Sequence, residues 1–391
     1  MPKVQLLFFD AGGGHRNAAT ALHTVCAKRY PSWEVELVNV GKLLEPLDFF
    51  HRYLGIAGED VYNKILQHGL TLGSRYMLRC TQAIIRMNRS GIVRVMTDYW
   101  KRTQPDLVVS LIPNFNRPLF LALAAACPQV PYVTVMTDLA DFPPHFWIEH
   151  QPQYLVCGTD RAVQQAKEAG YLPEQIRRSS GMILHPRFYD APLADAARSM
   201  ETLGLRDDLP TALVLFGGQG AKVMNDIYDQ LLQIRHPVQA IFLCGKNETL
   251  ARQLRERKEG LRAQVVGFTT EVPHYMKVSD FFIGKPGPGS LSEAIHMNLP
   301  VIVQRNAWTM PQERYNAEWI QERRVGLVIR HFRQTAEAVN QLLEGNLLES
   351  FRRNAQAIQN EAVFEIPQFL EEILAAGPAT KFVPSGHFPQ H

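Results

Sequence analysis

Three consecutive glycines run into a histidine near the start of the chain, in FFDAGGGHRNAA from Phe8 to Ala19. An imidazole titrates near neutrality, so it can take a proton from a hydroxyl at physiological pH. Ala18, Leu22 and Val25 recur at helical spacing beyond it. The glycines therefore turn an apolar strand into a helix, with His15 close to the helix start. Gly13 and Gly14 would let a ligand approach the backbone beside unpaired N–H groups. Two readings stay open from these residues: His15 caps the helix, or it is a base beside a bound substrate. Asp138, ending the apolar run YVTVMTD, is a rival base and equally a structural cap.

The second half of the chain repeats the strand–glycine turn–helix pattern twice. LVLFGGQGAKVMND holds Gly217, Gly218, Gln219 and Gly220, and FFIGKPGPGSLSEAIHMNLPVIV holds Pro286, Gly287, Pro288, Gly289 and Ser290. Two turns aiming backbone donors at one ligand suit an anion, and a diphosphate fits that geometry. Neither has the GxxxxGK[ST] pattern or a strict GxGxxG, which disfavours ATP hydrolysis and ordinary NAD binding. After the run PVIVQ, the segment PQERYN clusters Gln312, Glu313 and Asn316. These could hydrogen-bond sugar hydroxyls, or form a solvated helix start.

The elements that must carry these residues are short apolar runs alternating with helical patterns. VQLLFF, VELVNV, DLVVSLI, YVTVMTD and YLVCG read as buried strands in the first half, and TALVLFGG, QAIFLCG, QVVGF, FFIGK and PVIVQ in the second. Such alternation predicts parallel sheets covered on both faces. A length of 391 residues exceeds what one core usually serves, so two doubly wound α/β domains are expected, facing a cleft beyond the strand ends. The expected divisions are 1–190, 191–365, a helix over 366–376 packing back on the first domain, and a tail over 377–391. A net charge of +3 is too small to argue for nucleic acid. Five cysteines without a CxxC pair favour a reducing compartment and argue against structural zinc. Without a signal-peptide pattern or a run of ~20 apolar residues, the expected location is cytoplasmic, with any membrane contact peripheral.

Such contact has a candidate. Between Asp60 and Asp98 there is no acid, while Lys64, Arg75, Arg79, Arg86, Arg89 and Arg94 fall inside the interval. On one helix Arg75, Arg79, Arg86 and Arg89 would share a side, with Met77, Cys80, Ile84, Met87 and Val95 opposite. A core-packed helix with solvated arginines gives the same period. The missing acids favour an anionic surface, where each basic residue contributes about 1 kcal/mol.

The ordered motifs resemble those of the inverting family-28 glycosyltransferases. FGGQGAKVMN resembles the glycine turn of the peptidoglycan-precursor N-acetylglucosaminyltransferase, and GKPGPGSLSEA followed by PQERYN resembles that family's donor site. DAGGGHRNAA, VTVMTDLADFPPHFW and YLVCGTDRAVQQAKEAGYLPEQI through HPRF resemble the monogalactosyldiacylglycerol synthases and bacterial diacylglycerol glucosyltransferases.

The resemblance implies a GT-B fold, with a lipid acceptor on the N-terminal half and a UDP-sugar on the C-terminal half. It implies diphosphate contacts from Gly217, Gly218, Gln219, Gly220 and the loop Pro286 to Ser290. Phe268 matches a position whose backbone meets the uracil, and Glu293 the acid that takes the ribose hydroxyls. Gln312, Glu313 and Asn316 belong to the sugar end, and Gly13, Gly14 and His15 to the acceptor, with His15 as base. No metal or other cofactor is expected.

Two departures stand out. The chain reads SLIPNFNRP where the lipid enzymes usually carry an HPF-like element, and Pro311 replaces the glycine before the QE pair. The implied activity is hexosyl transfer from a UDP-sugar to diacylglycerol or a similar lipid. The alternatives are another lipid-linked or small acceptor, a non-catalytic nucleotide-sugar-binding regulator on the membrane, or a sugar-nucleotide epimerase.

Overall fold

A computed structural model of the chain describes residues 1–10, 13–47, 74–190, 200–257 and 260–379. It contains two six-stranded parallel sheets, in the orders β2-β1-β3-β4-β5-β6 and β12-β11-β10-β7-β8-β9. The first comprises β1 (Lys3–Phe8), β2 (Glu34–Asn39), β3 (Leu107–Ser110), β4 (Tyr132–Val135), β5 (Tyr154–Cys157) and β6 (Ile176–Arg178). The second comprises β7 (Thr211–Leu215), β8 (Gln239–Leu243), β9 (Arg262–Val266), β10 (Phe281–Gly284), β11 (Val301–Gln304) and β12 (Gly326–Ile329). The apolar runs predict ten of these strands. β6 and β12, both at sheet edges, are not among those runs; IRR has a single apolar residue, so pairing rather than an apolar run defines it as a strand.

Each sheet belongs to its own compact unit, and the chain passes between them at 186/187 and 359/360. In the first unit β1 shows why both faces are covered. Val4, Leu6 and Phe8 enter one core with Leu22 and Cys26 of α1 (Gly14–Arg29), while Leu7 enters another with Ile92 and Trp100. This is the two-residue period of a strand between two helical layers. Buried Gln5 in the same strand accepts from Trp100 Nε1 at 3.0 Å and donates to Glu36 Oε2 at 2.9 Å, so its polar atoms are satisfied without water.

From Ser74 on, the described part of the basic segment forms two helices rather than one. α2 (Ser74–Met87) ends and α3 (Arg89–Thr103) begins about Asn88, which lies outside helical geometry at φ −96°, ψ 8°. Arg89 therefore does not share a helix with Arg75, Arg79 and Arg86. Ile84 and Ile85 are buried in the core, whereas Met87, expected on the apolar side, is 69% exposed between exposed Arg86 and Arg89. Lys64 and the side chains of Arg75 and Arg79 lie outside the described residues. No described helix is long and apolar enough to cross a membrane, and the five cysteines are free.

In the second unit α4 (Val223–Leu231), α5 (Pro288–His296) and α6 (Arg314–Arg323) each follow a loop leaving β7, β10 or β11. The chain then returns to the first unit, where α7 (Ala362–Ala376) places Ile366, Leu370 and Ile373 against the α1 face. Arg29 donates to the Phe364 carbonyl at 2.8 Å, and Tyr30 donates to Glu371 at 2.9 Å.

Candidate active site

Both sheets reverse strand order at one point, and in open parallel sheets that crevice at the carboxyl ends is where ligands bind. In the first sheet it lies between β1 and β3, and in the second between β7 and β10.

Gly13 adopts φ +79°, a left-handed conformation natural to glycine, and α1 starts at the next residue without a side-chain cap. His15 thus stands in the first turn, half-buried, and its Nδ1 is 3.1 Å from Thr137 Oγ1 beyond β4. Loss of water around the ring drops its pKa from 6.5 to about 4, with the Leu111 carbonyl pulling the other way. The imidazole is neutral at pH 7, the form a base requires. Its ring centroid is 5.9 Å from that of Trp147, whose Nε1 donates to Asp138 Oδ2 at 2.8 Å. Asp138 is buried, so the indole takes part of its hydrogen-bonding capacity. Thr137 and Trp147 were invisible as partners in the sequence, because 122 residues separate Thr137 from His15.

The loop carrying Trp147 is clamped by Asp141, which accepts the Trp147 N–H at 2.6 Å and the His145 N–H at 3.0 Å. Burial pushes its carboxyl up to about 6 against those donations.

The two glycine turns of the second sheet are not equivalent. After β7, the turn Gly217–Gly220 closes through the Gly220 N–H on the Gly217 carbonyl at 3.2 Å, but α4 begins only at Val223 and carries Asp226 in its first turn. After β10, Gly287 is itself the N-cap of α5, with no side-chain cap and no acid in the first turn. The second turn is the better anion cradle, since the first turn of its helix carries no acid of its own and the nearby Glu313 carboxylate is paired with Lys285. Glu293, in the second turn of α5, has its carboxyl pushed up to about 7 by burial, opposed by Arg187.

Asn316 is fully buried and donates from Nδ2 to the Pro286 carbonyl at 2.7 Å, which makes it an anchor of the α5 entry loop. Gln312 and Glu313 are buried in a short helical turn (Pro311–Glu313) beyond β11, and Glu313 pairs with Lys285 at 3.0 Å. Phe268, following β9, is 60% exposed, and Lys246 Nζ lies 5.6 Å from its ring centroid.

Gly245, after β8, was not singled out in the sequence, although the strand–glycine junction LCGK signals it. Its φ is +58°, and a Cβ there would stand 2.3 Å from the Gly218 carbonyl, while the Lys246 N–H donates to that carbonyl at 2.9 Å. Gly245→Ala is expected to cost about 1–3 kcal/mol of stability and to displace the Gly217–Gly220 turn. Thermal melts and UDP titration read both effects.

Rossmann-like sheets with glycine turns at their carboxyl edges have the architecture of a GT-B glycosyltransferase. Acinetobacter baumannii MurG superposes with a TM-score of 0.61 at 12% identity, covering 95% of this chain and all of that one. UDP-GlcNAc 2-epimerase from Neisseria meningitidis bound to UDP-GlcNAc superposes at 0.61 with 15% identity, covering 96% and 100%. Residues 15–179 match the monogalactosyldiacylglycerol (MGDG) synthase family and 211–373 the glycosyltransferase family 28 C-terminal domain. A probable monogalactosyldiacylglycerol synthase 2, chloroplastic, of Oryza sativa subsp. japonica is 28% identical over 96% of this chain and 81% of its own. The chain thus has the GT-B fold, and it is similar over its N-terminal half to the monogalactosyldiacylglycerol synthases and over its C-terminal half to the family-28 glycosyltransferases.

Proposed function

We propose that this protein moves a hexose, galactose or glucose, from a UDP-sugar to diacylglycerol or a similar lipid at a membrane surface, inverting the anomeric centre. One observation carries the donor reading: the order of the turns along the second sheet's edge. From β11 to β9 the loops bring Gln312 and Glu313, then Pro286–Ser290, then Gly217–Gly220, then Gly245 and Lys246, then Phe268. Sugar-type donors and acceptors, two anion turns and an exposed aromatic follow one another as sugar, diphosphate and base do in a UDP-sugar. Four inter-strand steps span roughly 19 Å, the scale of such a molecule extended.

In this reading the α5 N-terminus and the Gly217–Gly220 turn take the charge of the departing UDP, and Glu293 accepts from the ribose hydroxyls. His15 takes the proton of the acceptor hydroxyl as that oxygen bonds to the anomeric carbon, and the bonding pair of the broken C–O bond leaves with UDP. The lipid acceptor is supported by the synthase relatives. The membrane, expected to be the inner cytoplasmic face, is supported by exposed Arg86, Met87 and Arg89.

The test supplies labelled UDP-galactose, UDP-glucose or UDP-N-acetylglucosamine with diacylglycerol vesicles. Labelled lipid is the expected product. UDP binding without transfer would favour the regulator, and epimerised sugar the epimerase. Arg86→Glu/Arg89→Glu should release the protein from vesicles containing anionic lipid and leave it unchanged on neutral ones; equal sedimentation with both would remove the membrane assignment.

A further inference from the structure

Lys285 leaves β10 one residue before the α5 entry loop and turns its ammonium to Glu313, with Nζ 3.0 Å from Oε1. The Glu313 side chain is 9% exposed and that of Lys285 is 36% exposed. A Cβ built on Gly287, the N-cap of α5, would lie 3.3 Å from Lys285 Cε, 3.5 Å from Glu313 Oε1 and 3.7 Å from Ser290 Oγ. The pair therefore stands against the helix start that would hold a diphosphate. A nearly buried carboxylate at that place repels a dianion, because like charges a few ångströms apart interact strongly where water is excluded. A lysine on the same loop cancels that charge.

We propose that Lys285 is a charge-compensating positioning residue, an inference that rests on the UDP-sugar reading of this sheet edge. Its pairing fixes one Glu313 oxygen, leaves the carboxylate able to accept from a sugar hydroxyl, and keeps its charge from opposing the diphosphate. A neutral glutamine at that place would need no partner. A carboxylate accepts more strongly from a hydroxyl and so brings the lysine with it.

The experiment is a charge cycle read by UDP titration and by donor kinetics. Lys285→Met should weaken UDP binding by about tenfold, and Lys285→Arg should retain it. Adding Glu313→Gln to Lys285→Met should restore UDP affinity to within about threefold of the parent, while turnover of the UDP-sugar stays low because a weaker amide acceptor replaces the carboxylate at the sugar. Glu313→Gln alone should bind UDP as tightly as the parent or more tightly, which keeps the test readable if Lys285→Met does not fold. Unchanged UDP affinity in Lys285→Met, no recovery in the double variant, or weaker binding by Glu313→Gln would each overturn the inference alone. A parent protein that binds no UDP would overturn the donor reading and the inference with it.

Discussion

Replacing His15 by alanine is expected to lower hexosyl transfer by about 10²- to 10⁴-fold, the range a positioned general base contributes, with UDP affinity within about twofold of the parent. The separation follows from location: His15 belongs to the first unit and the donor-type turns to the second. The pH profile carries a second signature. With its pKa lowered from 6.5 to about 4, the imidazole stays neutral as pH falls from 8 to about 5. At saturating donor, the acid limb of kcat should therefore appear towards pH 4 rather than pH 6.5. Asp138→Asn is the control. An amide oxygen still accepts from Trp147 Nε1, so a smaller loss than in His15→Ala is expected, and the reverse ranking would move the base to Asp138.

The other large effect is expected at Glu293. Hydrogen bonds from ribose hydroxyls to a carboxylate are worth about 1.5–3 kcal/mol each, so Glu293→Gln should raise the donor KM by about 10- to 100-fold and leave kcat largely intact. The sign of the pH dependence follows from the raised pKa of about 7. Below it the group is a neutral acid with weaker acceptor oxygens; above it the carboxylate accepts from both hydroxyls. The donor KM should fall as pH rises from 6 to 8 in the parent protein and stay flat in Glu293→Gln. A parent KM that is pH-independent over that window would remove Glu293 from the ribose.

Much of the architecture is legible in the sequence because its causes are local. Buried parallel strands need apolar side chains on both faces, so VQLLFF, DLVVSLI, TALVLF and FFIG announce themselves. A glycine run between strand and helix likewise marks Gly13, Gly217 and Gly287 without a structure. The helical period also predicts amphipathic segments, but not their interruption: one helix through Arg75 and Arg89 fits the pattern, whereas the structure breaks it about Asn88.

The α/β class, the glycine turns and the family resemblance can all be read from local patterns of residues. Which turns stand side by side was decided by the tertiary structure alone, since strand order is a matter of long-range pairing that no local period encodes. The β7–β10 pairing brings Gly217–Gly220 beside Pro286–Ser290, and the β10–β11 pairing brings Lys285 to Glu313 across 28 residues of chain. Likewise, only the fold dehydrates His15 and brings it to Thr137 and Trp147. A histidine's identity is written in the chain, but its pKa is set by the water that its neighbours exclude.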